Sequence, residues 1–425
     1  MLDYSLSQMI LYSPEREHNS IAKLEMQFRR YWVIIWVPKY LKYYQRRRMT
    51  MVNTIDLFAG CGGLTEGFKQ TGHYNTIACV EWDKPPCDTL RYNLKNKWKY
   101  NDAEKRVLRF DIQRTNELIN GWNDTEYGTS EGLDSLVKKY GGHVDLIIGG
   151  PPCQAYSVAG RIRDKNGMKD DYRNYLFENY LEIVKHYRPK AFVFENVPGI
   201  LSARPGDGER LIINIIKEKF KAAGYVILND LDKAIIDFTE YGVPQKRSRI
   251  IILALRRDCY NNPEQLLEKF YNEVLPARKA KKVSTVREAI SDLPSLIPLE
   301  KPTKIDGRTY SHTFAPETFA IKNHTPRFSS LRDIEIFRLL SSDIETGANK
   351  YVSTDALKQL YTKVTGKQSN IHKYHVIRWD EPSNTIPAHL YKDGLRHIHP
   401  DPKQARTITV REAARLQTFP DDYEF

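Results

Sequence analysis

The sequence predicts an α/β fold, a doubly wound and mostly parallel sheet accompanied by a smaller irregular domain, and three observations carry that reading. Short apolar runs alternate with stretches of helical periodicity from Thr54 to Ala254, the pattern of strand–helix–strand units. Nearly every run ends in a glycine- or proline-rich turn or in an acid, as if each strand delivered something at its carboxyl edge. Beyond Arg256 the alternation stops. The chain therefore divides into an N-terminal extension (1–50), an α/β domain (51–257), an irregular domain (258–405) and a closing helix and loop (406–425).

Thr54-Ile55-Asp56-Leu57-Phe58 reads as the first strand. Ala59-Gly60-Cys61-Gly62-Gly63-Leu64 follows and leads into a helix. Glycines between strand and helix let backbone approach a ligand, and the helix amino end favours an anion, so a nucleotide-like cofactor belongs here, although a tight turn with no ligand would look the same. The second strand, Thr76 to Val80, ends in Glu81-Trp82-Asp83, about 20 residues past the glycines, where an acid holds ribose hydroxyls in dinucleotide folds. Trp82 offers a stacking face for a purine. Phe110-Asp111-Ile112 reads as a third strand end, whose acid would accept from an adenine amino group.

Val144-Asp145-Leu146-Ile147-Ile148 is a buried strand stopped by Gly149-Gly150-Pro151-Pro152-Cys153-Gln154, since proline can neither extend nor donate to the ladder. A thiol on that turn is placed to act as a nucleophile, while alone it is equally a small apolar residue. Gln154 to Arg173 reads as a long loop suited to an active-site lid. A helix from about Tyr175 to Tyr187 precedes the strand Ala191 to Phe194, closed by Glu195-Asn196-Val197-Pro198. An acid at that desolvated edge holds a proton more readily, which is useful beside a thiolate, although a helix cap or a partner for a nearby arginine would look the same. A further helix (Glu209 to Ala223) and strand (Tyr225 to Leu228) lead to Gln245-Lys246-Arg247-Ser248-Arg249 and Ile250-Ile251-Ile252-Leu253. Arg247 and Arg249 alternate into that strand, so both guanidinium groups point to one side and suit a phosphate or carbonyl oxygen. Thr407 to Gln417 reads as a short helix with a threonine cap.

Composition limits the partners. The 425 residues hold 65 Lys and Arg against 53 Asp and Glu, a net charge of +12, which favours a polyanion such as nucleic acid without deciding it. Five cysteines, with no CxxC pair, suggest neither a disulfide framework nor a zinc site, no metal is expected, and a reducing cytosol fits. No apolar run approaches the ~18 residues of a membrane span, so no membrane partner is expected. Residues 1–50 carry Arg29-Arg30 and Arg46-Arg47-Arg48. They read either as a basic arm or, preferably, as sequence upstream of a natural start at Met49 or Met51.

Taken in order, Asp56-Leu57-Phe58-Ala59-Gly60-Cys61-Gly62-Gly63, Gly149 to Gln154, Glu195-Asn196-Val197, Gln245 to Arg249 and Arg411-Glu412-Ala413-Ala414-Arg415-Leu416-Gln417 resemble the DNA (cytosine-5) methyltransferases of bacterial restriction-modification systems, from Asn53 to Phe425. The resemblance implies a Rossmann-like fold. It implies S-adenosylmethionine bound by Gly60, Gly62, Gly63 and Leu64, with Phe58, Glu81, Trp82, Asp111, Ile112 and Pro151 around it. It further implies double-stranded DNA as partner, a cytosine swung out of the duplex, Cys153 as nucleophile, Glu195 on the ring nitrogen, and Arg249 with Arg247 on the base carbonyl or flanking phosphate. The region between Arg249 and Arg411 would read base edges in the major groove. A tRNA-acting branch shares the same Pro-Pro-Cys turn, and a catalytically silent DNA-binding relative is a further alternative. The family's usual Gly-Asn-x-Val-Pro-Pro segment after Phe-Pro-Asp is not found. The expectation is then a truncated product or a second polypeptide that supplies the piece, with weak cofactor binding and poor methylation by this chain alone.

Overall fold

A computed structural model describes residues 51–152, 176–204, 210–316, 320–368, 373–388 and 390–425. The basic stretch within 1–50, Cys153 and the loop Gln154 to Arg173 lie outside the described residues. The chain separates into two compact units, one running to Asp237 and resuming over Ser248–Lys279, the other made of Phe238–Arg247 and Ala280–Phe425.

The first unit is built on an eight-stranded sheet. In chain order its elements are β1 (Val52–Leu57), α1 (Gly63–Gln70), β2 (Tyr74–Glu81), α2 (Lys84–Asn96), β3 (Val107–Arg109), the hairpin β4 (Trp122–Asp124) and β5 (Gly128–Ser130), α3 (Gly132–Lys139), β6 (Leu146–Gly149), α4 (Leu176–Tyr187), β7 (Ala191–Asn196), α5 (Ile212–Ala222), β8 (Tyr225–Ile227), β9 (Ile235–Asp237) and β10 (Ser248–Arg256). The strand order is β3-β2-β1-β6-β7-β10-β8, with β9 also paired to β10. Pairings from β3 to β7 are parallel. β10 instead runs antiparallel to β7, β8 and β9.

The strands read as apolar runs because both sheet faces are covered. Ile55, Leu57, Ile147, Phe192 and Phe194 have no exposed surface, and Tyr180 of α4 is sealed over them. Its hydroxyl donates to the Val193 carbonyl at 3.0 Å and lies 3.3 Å from that of Ile147, so a buried polar group ties α4 to both β6 and β7. Strand order, not strand direction, reverses between β1 and β6, the place where ligands gather outside the carboxyl ends of parallel strands. The turns after β1, β2, β6 and β7 therefore share one rim.

The second unit holds α6 (Val286–Ile290), a two-stranded ribbon of β11 (Leu296–Ile305) and β12 (Arg308–Phe314), α7 (Leu331–Glu345), α8 (Thr354–Thr365) and α9 (Val410–Leu416). The sequence reading did not set out α7 and α8, both capped by serine hydroxyls, Ser330 and Ser353. Their apolar stripes pack around Ile336, Phe337, Leu340 and Leu360. α9 starts later than the expected Thr407, at Val410, and its threonine cap is Thr409, which forms a reciprocal capping box with Glu412. Arg411 is buried and donates to the carbonyls of Lys322, Pro420 and Tyr423, fixing the loop after α9. Arg406 and Glu412 pair bidentately at 2.7 Å in the interior. Burial alone would raise the Glu412 carboxyl, and the Arg406 charge more than offsets it, holding it well below the carboxylate range.

Candidate active site

Register brings the acid and the arginine together. In the β7–β10 ladder Glu195 stands opposite Ile251, so Arg249, two residues from Ile251, shares its face. Arg249 Nε lies 2.9 Å from Glu195 Oε1, with both side chains partly screened from solvent. Arg247 lies one residue before β10, where its carbonyl accepts from Phe238 N–H. The expected alternation of the two arginines along the strand thus begins only at Arg249.

The same carboxylate faces the turn that leads to Cys153. Gly149 pairs with Phe194 in the β6–β7 ladder, which sets Gly150 beside Glu195. A Cβ on Gly150 would stand 2.5 Å from Glu195 Oε2, closer than side chains tolerate. A larger residue here would push the carboxylate aside, so glycine lets backbone and carboxylate meet. Asn196 completes the junction, for its amide donates to the Pro151 carbonyl at 3.2 Å while its own carbonyl accepts from Val197 N–H at 2.8 Å. Pro151 is buried. Sequence reasoning had named the Glu195-Asn196-Val197 motif without seeing that its asparagine clamps the prolyl turn.

The glycine loop after β1 is shaped by its backbone angles and anchored by Glu81. Phe58 takes the left-handed conformation at φ 57°, as do Gly60 at 55° and Gly62 at 88°. Gly62 caps α1, so Gly63 and Leu64 occupy its first turn. Glu81 accepts from Gly60 N–H at 2.8 Å on one oxygen and from Trp82 and Asp83 N–H at 2.8 and 2.9 Å on the other. A carboxylate has about four acceptor sites, so Glu81 is fixed in place with capacity left for a diol. A Cβ on Gly60 would meet nothing within 4 Å, which leaves room for a ligand against the backbone. Trp82 is 46% exposed beside it. Asp111 lies two residues past the end of β3 and accepts from Gln113 N–H at 2.9 Å, while Ile112 is buried. An acid for ribose, an open indole and a glycine loop at a helix amino end form a donor set that fits a nucleoside with a charged tail.

Asp56 was not singled out. Its carboxyl is wholly buried under the glycine loop and accepts from Thr65 N–H at 3.1 Å and Thr65 Oγ1 at 2.6 Å. Among the described residues its second oxygen has no partner. Burial pushes this acid up to about 7, against the two Thr65 hydrogen bonds. No spacing in the sequence marks it, because the strand's apolar texture says nothing of how deeply a single acid sits.

A sheet of this order, with its loops gathered at the switch point, defines the class as Rossmann-like α/β methyltransferases. The chain belongs to the C-5 cytosine-specific DNA methylase family, which matches residues 52–425. It is accordingly a DNA (cytosine-5) methyltransferase. Among curated proteins it is similar to type II methyltransferase M.Bpa9945I of Bacillus paralicheniformis, 34% identical over 87% of this chain and 92% of that protein. It also resembles type II methyltransferase M.DdeI of Desulfomicrobium norvegicum, 31% identical over 88% and 80%. Among solved structures, a prophage-encoded DNA modification methyltransferase of E. coli shares the fold at a TM-score of 0.53, with 22% identity over 88% of this chain and 90% of that one. Among the described residues no helix is long and apolar enough to cross a membrane, and no cluster of potential metal ligands occurs.

Proposed function

We propose that this chain methylates carbon 5 of cytosine within a particular duplex DNA sequence, as the modification partner of a restriction system. The observation that carries the reading is the Glu195 carboxylate, held by Arg249 at 2.9 Å and pressed against Gly150, three residues before Cys153.

Carbon 5 of cytosine is too weak a nucleophile to react unaided. The Cys153 thiolate adds to carbon 6, forming a sulfur–carbon bond and moving an electron pair toward carbon 5. Glu195 holds a proton at ring nitrogen 3, so the incoming charge is spread rather than localised. Arg249 keeps that carboxyl in register and presents its remaining donors toward the base carbonyl or the flanking phosphate, with Arg247 in the same service. Once carbon 5 carries the methyl group as well as its proton, loss of that proton to solvent base, with the sulfur–carbon 6 bond breaking and the thiolate leaving, restores the ring. S-adenosylmethionine, when bound, supplies an electrophilic methyl. Gly60, Gly62, Gly63 and Leu64 would receive its charged tail and Glu81 its ribose. Phe58, Trp82, Asp111 and Ile112 would enclose its adenine, and Pro151 would border the methyl. Residues 258–405 would read the DNA.

Transfer of labelled methyl groups to duplex DNA and to tRNA tests the reading. Label in DNA alone, placed on cytosine carbon 5 at one recurrent sequence by bisulfite mapping, is the expected result. Label confined to tRNA, or none in either with duplex binding intact, would overturn it.

A further inference from the structure

Helix α1 begins without a capping side chain of its own. Its N-cap is Gly62, which has nothing to offer the amides of the first turn. The acceptor comes instead from the strand before it. Asp56 of β1 reaches past the glycine loop and takes the Thr65 N–H at 3.1 Å and the Thr65 hydroxyl at 2.6 Å on a single oxygen. Thr65 is the third residue of α1, the position an N-cap side chain serves. The Cys79 sulfur of β2 lies 3.4 Å from the same hydroxyl, so two strands and the helix are tied at one buried point. The Gly63 and Leu64 amides, ahead of Thr65 in the same turn, have no partner within the helix and lie at its positive end.

Charge decides what those two amides can receive. Asp56 has no exposed surface, and its second oxygen has no hydrogen-bond partner among the described residues. The titratable groups around it are Cys79, its register partner on β2, Glu81, which holds Gly60 N–H at 2.8 Å, and Tyr180, whose hydroxyl lies 3.3 Å from the Ile147 carbonyl. Glu66, next to Thr65, is engaged by Lys97 at 2.8 Å. None of the three groups around Asp56 is a cation. A bare carboxylate in such a place is costly, and a proton on the free oxygen relieves it, in keeping with the folded value of about 7.

We infer that Asp56 is a positioning residue for the cofactor site: it supplies from beneath the cap that Gly62 cannot, and holds the first turn of α1 so that the Gly63 and Leu64 amides stay open to the carboxylate tail of the methyl donor. The inference rests on the cofactor reading above. The cap serves best in its neutral form, since an ionised Asp56 sets a second negative charge against that tail at the same helix end.

Titration calorimetry of S-adenosylhomocysteine into the full chain and its Asp56→Asn and Asp56→Ala variants provides the test, with duplex binding as the check that each is folded. At pH 6, Asp56→Asn keeps an acceptor for Thr65 and is expected to bind within about twofold of the unaltered chain, while Asp56→Ala binds about tenfold more weakly. From pH 6 to pH 8.5 the unaltered chain should lose about 3- to 10-fold in affinity relative to Asp56→Asn, which cannot ionise. Full affinity in Asp56→Ala, Asp56→Asn as weak as Asp56→Ala, or a ratio of unaltered chain to Asp56→Asn that does not change with pH would overturn the inference while leaving the cofactor reading standing. If Asp56→Ala does not fold, the pH dependence of that ratio decides alone. Failure of the unaltered chain to bind the nucleoside at any pH would overturn both.

Discussion

Arg249 and Glu195 face one another at 2.9 Å from neighbouring antiparallel strands, two residues off register and on the same sheet face. The arginine fixes which way the carboxyl points, and that carboxyl stands against Gly150 in the turn before Cys153. Glu195→Gln keeps the shape and loses the acid, and should lower the single-turnover methylation rate about 10²- to 10⁴-fold. Arg249→Ala should cost a similar order, with affinity for S-adenosylhomocysteine retained. Rapid-quench measurement of methyl transfer checks both.

Gly150→Ala places a methyl group 2.5 Å from Glu195 Oε2. The flanking strands are rigid, so the carboxylate must move. The expected outcome is a loss of at least about tenfold in turnover with the melting temperature nearly unchanged. A large fall in melting temperature would show that the glycine serves packing instead.

Asp56 makes the first unit less stable as pH rises. Its folded value of about 7 lies above the ordinary 3.8, so between those pH values the folded protein holds a proton that the unfolded chain has released. Stability contributed by this group is full below pH 4 and is lost as pH climbs through 7. In Asp56→Asn that loss disappears. The melting temperature of the variant relative to the unaltered chain should therefore be higher at pH 8 than at pH 5, by several degrees.

The second unit responds in the opposite sense. Burial lowers His312 and His397 to about 4 and His399 to about 3. The folded unit keeps these rings neutral, and below pH 6.5 the unfolded chain takes up protons that they refuse. Stability present above pH 6.5 is lost as pH falls, at up to about 4 kcal/mol per pH unit for three rings. Against a total of about 5–15 kcal/mol, acid unfolding of this unit should begin between pH 4 and 5 by circular dichroism. His399→Gln should reduce proton uptake on unfolding by about one.

The strands, their polar terminators and the glycine loop were legible because a buried parallel strand must be apolar and must stop abruptly. Cys153, Glu195 and Glu81 stood out for that reason. What stayed hidden depends on register and depth. The approach of Gly150 to Glu195 needs the β6–β7 pairing, and the burial of Asp56 needs the packing above it. α7 and α8 were missed although each carries a serine cap and an apolar stripe, because the whole stretch beyond Arg256 was read as irregular once the strand–helix alternation stopped.

The account turns on a sulfur nucleophile that adds reversibly to cytosine. Duplex DNA in which 5-fluorocytosine replaces cytosine throughout, incubated with the protein and S-adenosylmethionine, tests this most directly, since fluorine cannot leave as a proton does. A complex stable to denaturing electrophoresis, formed by the unaltered chain and abolished in Cys153→Ala, is predicted. No complex with duplex that the protein demonstrably binds, or one that survives Cys153→Ala, would contradict the account.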